Sequence, residues 1–257
     1  MKVALLAGGF GTRISEESDR RPKPMVEIGT KPILWHIMMH YSAFGFRDFA
    51  IALGYKGDII KRWMLDYFEL SGDLKISSQE AERRNLHNEV ATWSVDLIES
   101  GLKTSTGGRI KAMSRVLSDG RFMLTYGDGV SNVDLGALLA FHETHGKLAT
   151  MTIVRPPARF GHVELDGSQI VEISEKPQSA EGWINGGFFV LEPEVLDLIE
   201  NDSTVFEREP LERLAADGQL MAYRHEGFWQ CMDTLRDKRL LERAWTEGRA
   251  EWATWRH

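Results

Sequence analysis

Apolar positions follow two rhythms along this chain. Short unbroken runs at Val3 to Leu6, Phe49 to Leu53, Val95 to Ile98, Phe122 to Tyr126 and Ala149 to Val154 read as strands buried on both faces. Between the first two of these, Ile33, Leu34, Ile37, Met38 and Tyr41 recur three and four residues apart, with Pro32 standing at a helix start. Ile59, Ile60, Trp63, Met64 and Tyr67 repeat the pattern within a helix over Lys56 to Phe68, and Asp134 to His145 gives another helix. Strand and helix alternate. The fold class expected is therefore α/β, a Rossmann-like, mainly parallel sheet with helices on both faces.

The second half changes character. His162 to Leu165 and Ile170 to Ile173 flank Asp166-Gly167, a strong hairpin signal, so a small antiparallel addition is expected there. Asn185-Gly186-Gly187 reads as a turn opening the strand Phe188 to Leu191. Leu220 to Tyr223 is a short strand, and Thr234 to Trp245 a helix. Trp245, Trp252 and Trp255 carry too much aromatic surface to leave in water, so the tail should pack on the body or on another subunit. Ser71 to Thr92 is polar with weak periodicity and reads as strand fragments and a long loop, either solvated surface or an oligomer contact. With no repeat, low-complexity tract or linker, residues 1–257 are expected to form one domain.

Composition narrows the partners. A chain of 257 residues, 42% of them apolar, supports one sizeable core. Its net charge of -7 offers no general attraction to nucleic acid or to an anionic membrane, so an anionic ligand needs a local cluster of cations. No run of about eighteen apolar residues is present to span a bilayer. The single cysteine, Cys231, forms no internal disulfide, and the start lacks a long apolar targeting segment, so a cytoplasmic protein is expected.

Candidate chemistry gathers where strands stop. After Val3 to Leu6, the sequence AGGFGTR places Gly8, Gly9 and Gly11 where bare backbone N–H groups would cradle an anion, and Arg13 adds a cation. Pro22 and Pro24 bracket Lys23 and restrict the backbone around a second cation. The same glycines would serve as a plain tight turn; the two cations favour phosphate. Ile14 stands where a dinucleotide fingerprint needs a small residue, and Thr12-Arg13 replaces the Lys-Ser/Thr of a P-loop, so both signatures fail. Thr104, Thr106, Gly107, Gly108 and Arg109 open a helix, as an anion site or merely as a Ser/Thr-capped start. Asp128, in GDG after a strand, is a natural Mg2+ ligand and also a common turn former. Asp233 is a second acid, with the alternative role of capping the helix that follows. Lys176 leaves a strand end in EKP. His36 and His40 share a helix face, but without a third ligand they read as structural or surface residues.

Taken together, GGFGTR and PKPMVEIG resemble the sugar-phosphate nucleotidyltransferases. The strings KPILWHIM, TGGR, TYGDGV, RFG, EKP, INGGFFVL and GFWQCMDTLRDK are most similar to the glucose-1-phosphate cytidylyltransferase branch of that family. The likeness runs from Met1 to Trp255, with departures at Thr30 for an expected Gly, Cys231 for an expected Pro, and the 71–92 segment. It implies transfer of a cytidylyl group from CTP to glucose 1-phosphate by a homo-oligomeric, Mg2+-dependent enzyme. It further implies Arg13 and Lys23 as catalytic cations, with Leu6, Ala7, Gly8, Gly9, Gly11, Thr12, Thr104, Arg109 and Gly127 around the nucleotide. Glu175, Lys176, Asn185 and Gly186 would take the sugar phosphate, and Asp128 and Asp233 the metal. Two alternatives stay open: another pyrimidine triphosphate or hexose 1-phosphate, and a non-catalytic sensor of a sugar nucleotide.

Overall fold

Strand β1, Lys2–Leu6, lies inside the main sheet because its side chains are apolar on both sides of the pleat. Val3 and Leu5 belong to one apolar cluster, Ala4 and Leu6 to the other. The computed structural model describes residues 1–9, 21–71, 74–75, 84–85, 92–156, 161–166, 169–175 and 182–256, of which 74–75, 84–85, 161–166 and 169–175 as backbone alone. On one flank of β1 run β2, Asp48–Leu53, and then β3, Ser94–Glu99, both parallel. On the other flank β4, Phe122–Tyr126, is also parallel, with Leu6 opposite Tyr126. The strands therefore end on one edge, where Gly8 and Asp128 emerge side by side and the Gly127 N–H donates to Leu6 O at 3.0 Å.

Helices cover both faces, as the periodicity predicts. Helix α1, Ile33–Ala43, buries Ile33, Leu34, Ile37, Met38 and Tyr41 against the Val3 and Leu5 side, and α2, Gly57–Leu70, adds Ile60 and Met64. The opposite face is covered by α3, Thr106–Ala112, through Ile110, and by α4, Glu209–Ala216, through Leu211 and Leu214. Helix α5, Leu235–Thr246, begins with a capping box in which Thr234 is the N-cap and Asp237 returns the bond. The cap role considered for Asp233 thus belongs to its neighbour, and Asp233 is released for other work. The C-terminal tryptophans pack on the body: Trp252 is fully buried and, with Trp245 and Trp255, surrounds His36.

The second half departs from the expected plan at one strand. Ile184–Leu191, β5 in the order used here, enters the main sheet antiparallel to β4 and to Ala149–Val154, β6. A last strand, β7, Leu220–His225, pairs parallel with β6 at the edge, completing seven strands. Asn185-Gly186-Gly187 is not a turn before this strand but an irregularity within it. Met151 faces Phe189 while Ile153 faces Asn185, so extra residues bulge out. Gly187 at φ +76° and Phe188 at φ +48° absorb the bulge in left-handed backbone, a conformation glycine accepts readily and a phenylalanine rarely. Thr152 Oγ1 donates to Phe188 O and Thr125 Oγ1 accepts from Phe188 N, holding the strained residue. Gly161–Asp166 pairs antiparallel with Gln169–Glu175 as the expected hairpin, its tip outside the described residues. Within the 71–92 segment, Leu74–Lys75 pairs with Arg84–Asn85.

Candidate active site

The strand ends place one cation between two distant acids. Lys23 begins a 3-10 turn, Lys23–Met25, which Pro22 enters in extended conformation and which Met25 N closes on Pro22 O. The turn aims the Lys23 ammonium at Asp128 Oδ2, 2.6 Å away, and at Asp233 Oδ1, 2.5 Å away. Asp128 follows β4 directly. Asp233 arrives beside it because Trp229–Cys231 pairs antiparallel with Gly129–Ser131, and Met232 N donates to Asp128 O. These acids are 105 and 210 residues from Lys23 in sequence. Burial pushes the Lys23 ammonium toward losing its proton, but the two carboxylates outweigh it and hold its pKa above the ordinary lysine value.

Two cavities meet at this triad. The larger, about 540 Å³, is lined by Leu6, Gly8, Gly9, Lys23, Gly127, Asp128 and Asp233 on one side, with Lys103, Thr104, Ser105, Thr106 and Arg109 on the other. The smaller, about 240 Å³, includes Asn185, Gly186, Trp229 and Cys231. Tyr126, Asp128 and Asp233 line both. Cys231, where the likeness led us to expect proline, donates to Asp233 Oδ2 at 3.6 Å; burial and then the neighbouring acids push its thiol up to about 12.

Arg109 sits in the larger cavity but is engaged differently from Lys23. Its guanidinium donates to Leu53 O, Ser100 Oγ, Gly101 O and Leu102 O, all neutral acceptors. Burial alone lowers its pKa, and a guanidinium still stays charged. It fits only because Gly8 and Gly54 have no side chains: a Cβ on either would overlap the Arg109 Nη1 atom. Gly8 therefore makes room for a cation rather than simply baring its backbone, whereas Gly9 meets no neighbour among the described residues. At the start of α3, Ser105 is the N-cap without a side-chain cap bond, and Thr106 Oγ1 turns instead to Glu207, so the Ser/Thr-capped start does not describe this turn.

Of the residues singled out in the sequence, Leu6, Gly8, Gly9, Lys23, Thr104, Arg109, Gly127, Asp128, Asn185, Gly186 and Asp233 line one cavity or the other. Ala7 is buried beneath, its N–H on Ala52 O. Gly11, Thr12, Arg13 and Lys176 lie outside the described residues, and Glu175 ends its strand with only its backbone described. Lys103, Ser105, Tyr126 and Val205 line the larger cavity without having been singled out. Tyr126 had a readable signal, since it ends a strand directly before Gly127-Asp128; Val205 had none. His36 and His40 are structural: His36 Nε2 donates to Ile28 O and its Nδ1 accepts from Trp252 Nε1, while His40 meets Thr254 Oγ1. Among the described residues no group of three or more His, Cys, Asp or Glu side chains is arranged to hold a metal, and no helix is long and apolar enough to cross a membrane.

The chain is similar to known proteins at two distances. The chain is 50% identical over 256 residues to the glucose-1-phosphate cytidylyltransferase of Salmonella typhi, and equally to that of Salmonella typhimurium, covering 99% of this chain and 100% of each relative. Among solved structures, a UDP-glucose pyrophosphorylase complexed with UDP-glucose superposes with a TM-score of 0.70 over 96% of this chain and 99% of its own, at 17% identity, a likeness of fold alone. The sequence pattern of the nucleotidyl transferase family matches residues 2–237, and to that family this chain belongs.

Proposed function

We propose that the chain is a glucose-1-phosphate cytidylyltransferase, joining CTP and glucose 1-phosphate to give CDP-glucose and pyrophosphate. The observation that carries this reading is the Lys23, Asp128 and Asp233 triad at the junction of a larger and a smaller cavity. The full-length relatives at 50% identity supply the substrate names. In the reaction a phosphate oxygen of the sugar phosphate forms a bond to the α-phosphorus of CTP, and the bond from that phosphorus to the β-bridging oxygen breaks. Its electrons leave with pyrophosphate. The nucleophile is already an anion, so no protein base is needed; the protein positions two anions and offsets their repulsion.

The residues divide this task by cavity. Thr104 to Thr106, Arg109 and the Gly8-Gly9 turn surround the nucleotide, and Asn185 and Gly186 face the sugar. Arg13 and Lys176 complete the cation set on the pyrophosphate and on the sugar phosphate. Asp128 and Asp233 aim oxygens at a single cation position, here taken by an ammonium, and Mg2+ is commonly held by one or two carboxylates plus phosphates and waters. Those two acids would hold Mg2+, which would supply charge neutralisation. Lys23, beside both acids, would lend its charge to a reacting phosphate. The same reading makes the protein a cytoplasmic homo-oligomer.

Pyrophosphate release from each of CTP, dTTP, UTP and GTP, with glucose 1-phosphate and Mg2+ present, tests the proposal. CTP should be preferred by about a hundredfold, since a base-reading site leaves polar groups unpaired with the wrong base. Equal or faster turnover with dTTP or UTP overturns the base assignment. Binding of nucleotide without any turnover makes the protein a sensor instead.

A further inference from the structure

Glu207 has no role in the reaction just described, yet it is bonded to the walls of both cavities. Its Oε2 accepts from Thr106 Oγ1 at 2.5 Å and its Oε1 from the Tyr126 hydroxyl at 2.6 Å. Thr106 is the first residue of α3 and lines the larger cavity; Tyr126 ends β4 and lines both. Two further bonds fix the direction of the protons. Phe206 N donates to Thr106 Oγ1, and Asn185 Nδ2 donates to the Tyr126 oxygen, so each hydroxyl has its single proton left for Glu207. Asn185 is held in turn by Gly187 N on its Oδ1, at the bulge of the smaller cavity. One carboxylate therefore joins the turn at the nucleotide to the bulge at the sugar through an unbroken series of directed bonds.

We propose that Glu207 is a positioning residue that couples the two substrate cavities, so that ordering Thr106 against the nucleotide also sets Tyr126 and Asn185 for the sugar phosphate. The inference rests on the reaction proposed above. A carboxylate suits the position because both its neighbours must donate, and only an acceptor at each oxygen satisfies both. In Glu207→Gln the amide nitrogen offers hydrogens where an acceptor is needed, so one hydroxyl loses the acceptor for its proton, with almost no change in volume.

The test compares wild type, T106V, Y126F and the T106V/Y126F double variant, each with Glu207 and with E207Q, by steady-state kinetics with CTP and glucose 1-phosphate, alongside thermal melting. Wild type is measured first: absence of pyrophosphate release rejects the proposed reaction, and this inference with it. Given an active wild type, E207Q is expected to raise the KM for both substrates about tenfold, with kcat changed less than about threefold and the melting temperature near that of wild type. The effects of T106V and Y126F on kcat/KM should fall short of multiplying by about fivefold or more, and in an E207Q background they should multiply independently. Unchanged KM values in E207Q, a KM effect confined to one substrate, or independent effects of T106V and Y126F with Glu207 present would each overturn the coupling while leaving the reaction assignment intact. A lowered melting temperature with wild-type KM values would reduce Glu207 to a structural contact.

Discussion

Lys23 and Arg109 are two cations on the wall of one cavity, and they are neutralised in opposite ways. Lys23 faces two carboxylates, which leaves one negative charge in excess around it. Arg109 faces carbonyls and a hydroxyl, so its positive charge stands uncompensated by its bonding partners. The cavity thus sets an acidic pair at the junction with the smaller cavity and the Arg109 cation at the turn before α3. A bond between an ammonium and two carboxylates exchanges when another cation and a phosphate arrive, because each partner finds a new one of the right sign. A guanidinium forked onto backbone carbonyls has no such exchange and serves as a fixed charge and a brace.

Removing the acids should have the largest effect. Asp128→Asn and Asp233→Asn are each expected to lower turnover by roughly a thousandfold, since charge stabilisation at the reacting phosphates is worth about that much. Each acid is partly solvated and Lys23 keeps its other partner, so melting should change by only a few degrees. Mg2+-dependent rates and melting curves of both variants decide it; large destabilisation with nearly full activity would return the pair to a structural role.

Exchange at Lys23 makes a sharper demand. Lys23→Met should lower kcat by about a hundredfold, the loss of one charged contact to a transferring phosphate. The same variant should bind Mn2+ several-fold more tightly than wild type in a direct titration by electron paramagnetic resonance, because the competing ammonium is gone. Weaker Mn2+ binding would mean that the ammonium and the metal do not share a position.

The brace predicts a mixed loss. Arg109→Lys cannot reproduce the fork, so the KM for CTP should rise about tenfold while stability falls by about 1 kcal/mol, the cost of losing the guanidinium's bonds to Gly101 O and Leu102 O. Wild-type melting with a raised KM would assign Arg109 to the ligand alone.

The smallest expected effect on the chemistry comes from acid, and it separates the site from the scaffold. Burial lowers His36 and His40 from 6.5 to about 4. The unfolded chain therefore takes up protons first. Their contribution is complete above about pH 6.5, falls as pH drops from 6.5 toward 4, and is lost below that; each is worth at most roughly 3 kcal/mol. Denaturant midpoints should decline through this window, and the decline should be smaller in His40→Gln. A midpoint independent of pH between 6.5 and 4 would show these histidines to be solvated.

Much of this was legible beforehand, for a local reason. An apolar run or a three-and-four spacing fixes which way side chains face within one element, so Val3 to Leu6, Phe122 to Tyr126, α1 and α2 could be read directly. Glycine, proline and charged residues at strand ends pointed to Gly8, Lys23, Asp128 and Asp233 one at a time. That Asp128 and Asp233 meet was expected from the resemblance, which puts both on one metal, and not from any local pattern. Asp233 reaches Asp128 only through the pairing of Trp229–Cys231 with Gly129–Ser131, and it is free to do so only because Thr234 takes the cap.

Tertiary structure alone decided the rest. An apolar strand reads the same whether it enters a sheet parallel or antiparallel, so the reversal of Ile184–Leu191, and the bulge that sets Asn185 toward the smaller cavity, followed from its neighbours β4 and β6. Arg109 reads as a free cation near glycines until the folded chain surrounds it with carbonyls and uses Gly8 to make room. Glu207, in the charged stretch FEREPLERL, looks like solvated helix-start surface; only the crossing of α3, β4 and Ile184–Leu191 brings two donors to its two oxygens. Sequence determines what a residue offers over a few neighbours. Which partner receives it depends on register and crossover, set by the packing of the whole sheet.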